Sequence, residues 1–432
     1  MSRFNAACWV LLPLFALAGC ATLEEGQDNG GSTSAAGTGY ATSRTDAAIS
    51  TVQLYRTGNE SSLPVLPLGS GETLTLEFDL LEDFGKPLSV YFYHADRNWQ
   101  RSLLPVEYLR TFTSDDLRDY EPSLGTEVRY THYTYQFPNA NIGFLRSGNY
   151  VLRVTEVGRE REVLFERAFF LTEQAAEIQF AIQDGLAGGV GGGFLQPVAR
   201  IRPPSAFDSP IYDYNVCFAR NGRFALTRCS AEPTLASGSL FQFFLPRETA
   251  FTPEEPLYDL DLALLQTGPQ VSTVDFETSP FTVTLDLDYA RFGSDLFERD
   301  LTGQSLVSSV VEDAAGPADT GSEYVEVLFR YVPQDEQQLA GPVILTGSFN
   351  NWVIDPEREL VWNAEERWYE GRLLVKQGQY VYKYVTDDPG ERERIRRTVG
   401  FGQPNLYTAF VYVYDPSFDT DRLLAVSNAL GQ

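Results

Sequence analysis

Cys8, Cys20, Cys217, Cys229, His94 and His132 are the cysteines and histidines of this 432-residue chain, the scarcest of the side chains that could support covalent, acid-base or metal chemistry. The two histidines sit in Tyr91-Phe92-Tyr93-His94 and Tyr130-Thr131-His132-Tyr133, aromatic strand-like runs in which an imidazole packs rather than reacts. No Gly-x-Ser-x-Gly elbow and no His-Glu-x-x-His pair occurs. Two cysteines and two distant histidines do not give zinc-ligand spacing. Carboxylates are plentiful, but pairs such as Asp259/Asp261 and Asp286/Asp288 fall on alternate strand positions and read as a solvated face. The expectation is a protein without catalytic groups, metal or cofactor.

Cys217 and Cys229 flank Arg220-Asn221-Gly222-Arg223, and Asn-Gly is a strong hairpin signal. An exported chain would keep a Cys217–Cys229 disulfide, contributing about 3 kcal/mol. A two-residue turn at Asn221-Gly222 places Cys217 opposite Leu226, so the bond requires a bulge or a longer loop; two buried free thiols are the alternative.

Cys20 belongs to different chemistry. Arg3 precedes an apolar stretch from Ala6 to Leu17, then Leu17-Ala18-Gly19-Cys20. A short apolar core ending in small residues is a secretory signal. The cysteine behind them resembles the lipobox of bacterial lipoproteins, which implies a lipidated thiol at Cys20. Two or three acyl chains, at about 0.8 kcal/mol per buried CH₂, make a stable anchor. Residues 1–19 are thus expected to be the signal peptide. Residues 20–45, rich in Gly, Ser, Thr and Ala, are expected to be a lipidated flexible tether.

The formal charge of −26 argues against nucleic-acid binding by bulk electrostatics. Beyond the tether the dominant pattern has a period of two. Leu74, Leu76, Phe78 and Leu80 alternate with Thr75, Glu77 and Asp79. Phe281, Val283, Leu285 and Leu287 alternate with Thr282, Thr284, Asp286 and Asp288. Such runs form half-buried antiparallel strands, so the expected fold is all-β, built of tandem immunoglobulin-like β-sandwich domains. The expected boundaries are 46–174 for the N-terminal sandwich and 175–311 for the middle one. Acidic 312–322 reads as a linker, and 323–432 as the C-terminal sandwich.

Gly347-Ser348-Phe349-Asn350-Asn351-Trp352, Trp368-Tyr369-Glu370 and Gly378 to Val385 resemble the early-set, glycogen-binding-like immunoglobulin module. The resemblance implies a sugar platform with Trp352 as a stacking ring, Lys383 as its lysine and Asn405 as its asparagine. The second stacking tryptophan has no counterpart, since Thr386-Asp387-Asp388-Pro389-Gly390 stands there.

A second set of motifs runs along the body: Val52 to Arg56, Leu63 to Glu72, His94-Ala95-Asp96-Arg97-Asn98-Trp99, Pro105 to Leu109 and Tyr130-Thr131-His132-Tyr133. It continues with Phe137-Pro138-Asn139, Ser147-Gly148-Asn149-Tyr150-Val151-Leu152, Gly347 to Trp352, Val375 to Tyr380 and Asp421-Arg422-Leu423. By these motifs the chain from about Ile49 to Leu430 resembles the type IX secretion system plug protein family. The resemblance implies a periplasmic non-enzyme that closes the periplasmic mouth of the outer-membrane translocon barrel. Its partners would be that barrel and, through lipid, the membrane. Trp99, Trp352 and Tyr130, Tyr133 and Tyr135 are the aromatics that could anchor such a contact if they are not core. A glycan-binding lipoprotein and a structural envelope adaptor are the alternative readings.

Overall fold

A computed structural model describes residues 45–101, 103–185, 194–204, 209–237, 240–251, 257–290, 305, 307, 318–396 and 405–431. Cys20, the signal and nearly all of the tether lie outside them. Among the described residues no helix is long and apolar enough to cross a membrane.

The first sandwich contains β1 (Ile49–Arg56), β2 (Val65–Pro67), β3 (Leu74–Leu80), β4 (Leu88–Ala95), β5 (Ser114–Leu117), β6 (Asp119–Pro122), β7 (Thr131–Phe137), β8 (Gly148–Glu156) and β9 (Val163–Thr172). One sheet runs β1-β3-β7-β6 and the other β2-β9-β8-β4-β5. Leucines and aromatics at alternate positions turn inward from both sheets. Phe92, Phe137 and Phe169 meet at ring separations of 5.0–6.0 Å, mostly edge to face.

The chain then lays down β10 (Glu177–Gly185), β11 (Phe194–Arg202), β12 (Tyr214–Arg220), β13 (Arg228–Ser230), β14 (Thr234–Ser237) and β15 (Leu240–Phe244). It leaves this unit incomplete. β16 (Tyr258–Asp261), β17 (Val271–Asp275), β18 (Thr282–Tyr289), β19 (Tyr324–Val332), β20 (Ile344–Gly347), β21 (Val361–Asn363), β22 (Trp368–Lys376) and β23 (Gln379–Val385) build the third sandwich. Its sheets run β16-β23-β20 and β17-β18-β19-β22-β21. Only then do β24 (Asn405–Asp415) and β25 (Thr420–Gly431) return to finish the second sandwich, whose sheets are β10-β11-β15-β14 and β13-β12-β24-β25.

The third sandwich is therefore an insertion in the second, and the boundaries expected from the sequence are corrected. Strands at 258–289, assigned to 175–311, pair into the third sandwich: Tyr258 opposes Tyr382, and Val283 opposes Val327. Strands at 405–431, assigned to 323–432, belong to the second, where Val216 opposes Val411. Alternation identifies a strand but carries no information on which neighbour it pairs with. The described end of the expected 312–322 linker is also packed. Thr320 and Ser322 are buried, and the Leu124 amide donates to the Thr320 carbonyl at 2.9 Å.

Candidate functional site

The residues of chemical interest gather where the sandwiches meet. Between the first and third, Asp79 of β3 is wholly buried. Its Oδ2 accepts from Lys376 Nζ at 2.7 Å and from the Tyr324 hydroxyl at 2.6 Å, while its Oδ1 lies 2.7 Å from His132 Nδ1. Burial pushes the Asp79 carboxyl upward, yet the Lys376 charge and the His132 contact hold it below its ordinary value of 3.8. Burial, with the Asp79 charge beside it, drives Tyr324 well above 10.0, so its hydroxyl keeps its proton and donates it. Lys376 Nζ also stands 4.4 Å from the ring centre of Tyr130, whose hydroxyl donates to the Ser322 carbonyl at 2.9 Å.

One backbone outlier serves this seam. Thr51 has φ +50°, unusual for a β-branched residue, at an irregularity in the β1–β3 register. There its Oγ1 lies 2.5 Å from the Tyr324 hydroxyl. The hydroxyl can donate to Asp79 only if Thr51 donates to it in turn.

Between the first and second sandwiches the seam is apolar. Phe170, on the outer face of its sheet, meets Phe410 at 4.5 Å, Phe224 at 4.7 Å and Trp99 at 5.7 Å. Ala95, Val151, Ala168, Cys217, Tyr412 and Leu423 complete this buried layer. Its rim is charged and hydrogen-bonded. Arg97 pairs with Asp421 at 2.6 Å, and Arg422 forks onto Glu173 at 2.8 and 2.6 Å. The Tyr412 hydroxyl donates to Asn149 at 2.7 Å, and the Leu423 amide to Ser147 Oγ at 3.1 Å. Gly148 holds φ +140°, and a Cβ there would stand 2.5 Å from His94 Nε2, so only glycine fits.

His94 makes a second consequence measurable. Burial holds its imidazole down at about 4; the Ser147 carbonyl contact opposes this and the Arg146 charge reinforces it. Below the ordinary 6.5 the unfolded chain takes up a proton that the folded protein refuses, so stability is lost as pH falls from 6.5 toward 4. The loss reaches about 3 kcal/mol. Urea midpoints measured across that range should fall, and His94→Gln should flatten the dependence.

All three sandwiches converge on the turn after β12. Asn221 and Gly222 both adopt positive φ, the hairpin geometry expected of Asn-Gly, but the chain then makes a 3₁₀ turn at Phe224–Leu226. The longer loop brings Cys217 directly opposite Cys229, with their sulfurs 2.00 Å apart. Phe224 enters the apolar seam, and the Arg223 guanidinium stacks 4.3 Å from the ring centre of Trp352. Trp99 and Trp352 each sit at φ +62°, costly for bulky residues; Trp99 lies in the apolar first–second seam, and Trp352 meets Arg223 of the second sandwich.

This placement bears on the sugar platform. Trp352 packs with Leu257 and Val381 beneath Arg223, so a protein cation occupies a face on which a pyranose would stack. Lys383 lies two residues beyond Val381 on β23, half-buried. Asn405 is not in the third sandwich at all. It starts β24 in the second, buried, and accepts from Asn221 Nδ2 at 2.8 Å. Of the proposed anchors, Trp99, Tyr130, Tyr133 and Tyr135 are buried. Nor is Asp288 on a solvated face: it accepts from the Tyr382 and Tyr384 hydroxyls at 2.7 and 2.6 Å. Among the described residues no group of three or more His, Cys, Asp or Glu side chains could hold a metal.

The arrangement defines an all-β protein of tandem sandwiches joined by buried seams. Residues 49–173, the span of the first sandwich, match the family model described as "Type 9 secretion system plug protein 1st domain". The chain thus carries a plug-protein first domain over residues 49–173. The crystal structure of a hypothetical protein from Parabacteroides merdae shares the fold at a TM-score of 0.81 and 22% identity, covering 91% of this chain and 100% of that one. Native alpha-2-macroglobulin from Escherichia coli, spanning domains NIE-MG1, aligns at a TM-score of only 0.16 and 9% identity, over 46% of this chain and 89% of that one. No curated protein matches the chain in sequence.

The sequence motifs that carried the family resemblance fall largely on the seams. His94 to Trp99, Ser147 to Asn149 and Asp421 to Leu423 frame the first–second contact, and His132 and Lys376 meet across the first–third contact. Asp79, Thr51 and Tyr324 carry no sequence signal of a site; in the sequence Asp79 is one more polar position on an alternating strand.

Proposed function

We propose that this protein is a lipoprotein, anchored through Cys20 at the periplasmic face of the outer membrane, that plugs the periplasmic opening of the type IX translocon barrel. The match of residues 49–173 to the plug-protein first domain carries this reading. A pore wide enough for folded cargo leaks unless a stiff body fills its mouth. Three sandwiches joined through an apolar seam and a buried ion pair supply that stiffness. A lipid tether raises the local concentration of the plug beside its pore.

The glycan-binding alternative loses ground where Arg223 covers Trp352 and Asn405 leaves the module. Affinity purification from solubilised outer membranes is expected to recover the translocon barrel. Failure to recover it, together with maltodextrin binding abolished by Trp352→Ala, would replace the plug with the sugar binder.

A further inference from the structure

We infer that the C-terminal hairpin is a strap: its docking closes the second sandwich and locks the first onto it in one event, which comes last in folding. The inference rests on the hairpin's two faces and needs no assumption about the plug role. One face of β24 and β25 supplies Tyr407, Ala409, Val411, Val413, Leu424 and Ala425 to the core of the second sandwich. The other supplies Phe410, Tyr412 and Leu423 to the seam with the first. A strand buried on both faces cannot leave one partner while keeping the other.

The edge of the hairpin is tied to the first sandwich as well. The Glu173 amide donates to the Leu423 carbonyl at 2.9 Å and the Ala175 amide to that of Leu424 at 2.8 Å, beside the Arg97–Asp421 and Glu173–Arg422 pairs. Near its tip, Arg146 of the first sandwich lies 3.5 Å from the ring centre of Phe418.

Chain order adds a direction. The first sandwich is complete by Thr172 and the third by Val385, whereas β12 waits until residue 405 for the neighbour that covers its open edge. The first and third can mature from continuous chain. The second cannot, because its core is missing the residues contributed from 407 onward.

The test is native-state hydrogen exchange on the full-length protein and its Arg97→Ala and Arg422→Ala variants. Neither arginine enters the second core, and β11 and β15 do not belong to the first–second seam. Coupling predicts that amides of β11 and β15 exchange at least about tenfold faster in both variants, together with those of β24 and β25. Amides of β3, β7, β19 and β22 should hold their rates. Acceleration confined to the neighbourhoods of Arg97 and Arg422, or spread equally over all three sandwiches, would overturn the strap. Pulse labelling during wild-type refolding is an independent check. β11, β12, β24 and β25 should gain protection together, after β7 and β22; protection of β11 and β12 ahead of the hairpin would also overturn it.

Discussion

Lys376→Met is expected to lower the unfolding free energy by about 3–5 kcal/mol, a large share of what holds most domains folded. The reason is asymmetry. Lys376 and Asp79 are both almost wholly buried at the first–third seam, 2.7 Å apart. Removing the ammonium leaves a carboxylate that water cannot reach. The compensating variant distinguishes charge from packing: Asp79→Asn with Lys376→Met removes both charges and keeps a side-chain oxygen for Tyr324. Most of the loss should be recovered. Two equal, additive losses in denaturant titrations would show that the charges do not act as a pair.

The pH dependence should change sign with the substitution. In the native protein Asp79 is held below 3.8, so its contribution is present above that value and is lost as acid protonates it. In Lys376→Met burial, which raises a carboxyl, is opposed only by the His132 contact and the Tyr324 hydroxyl. The variant then carries its penalty at neutral pH and sheds it on acidification. The stability gap to the native protein should narrow as pH falls.

The strands were legible because alternation is a local property. Leu74, Leu76, Phe78 and Leu80 declared an inward face without any neighbour being known. The opposite face was misread for the same reason. Thr75, Glu77 and Asp79 look like a solvated row, yet all three are buried, and Asp79 receives Lys376 from nearly 300 residues away. Local pattern separates polar from apolar but not wet from covered. Similarly, 258–289 and 405–431 alternate well in isolation, and nothing in their residues states that the first belongs to the third sandwich and the second to the middle one. One signal was available. Tyr407 to Val413 is nearly unbroken in large or apolar residues, the signature of a strand covered on both faces. The motifs of the family resemblance were informative in another way: short, scattered and individually weak, many of them fall together at the seams.

Two adjacent phenylalanines allow the seam to be weighed against a core. Phe169 and Phe170 are both fully buried on β9, one facing the aromatic core of the first sandwich and the other the second sandwich. Replacing either by alanine should cost about 3–5 kcal/mol, since each leaves a ring-sized cavity. The sites of damage should differ. Phe169→Ala loses the contacts to Phe92, Phe137 and Tyr150 at 5.0–6.0 Å and should raise exchange throughout β4, β7 and β8. Phe170→Ala loses Phe410, Phe224 and Trp99 instead, so the hairpin and the Asn221–Phe224 turn should loosen while β7 stays protected. If the three sandwiches act as one stiff body, Phe170→Ala should also impair the proposed plugging more than Phe169→Ala at matched stability. Equal impairment would mean that overall stability, rather than the joint between sandwiches, limits the function.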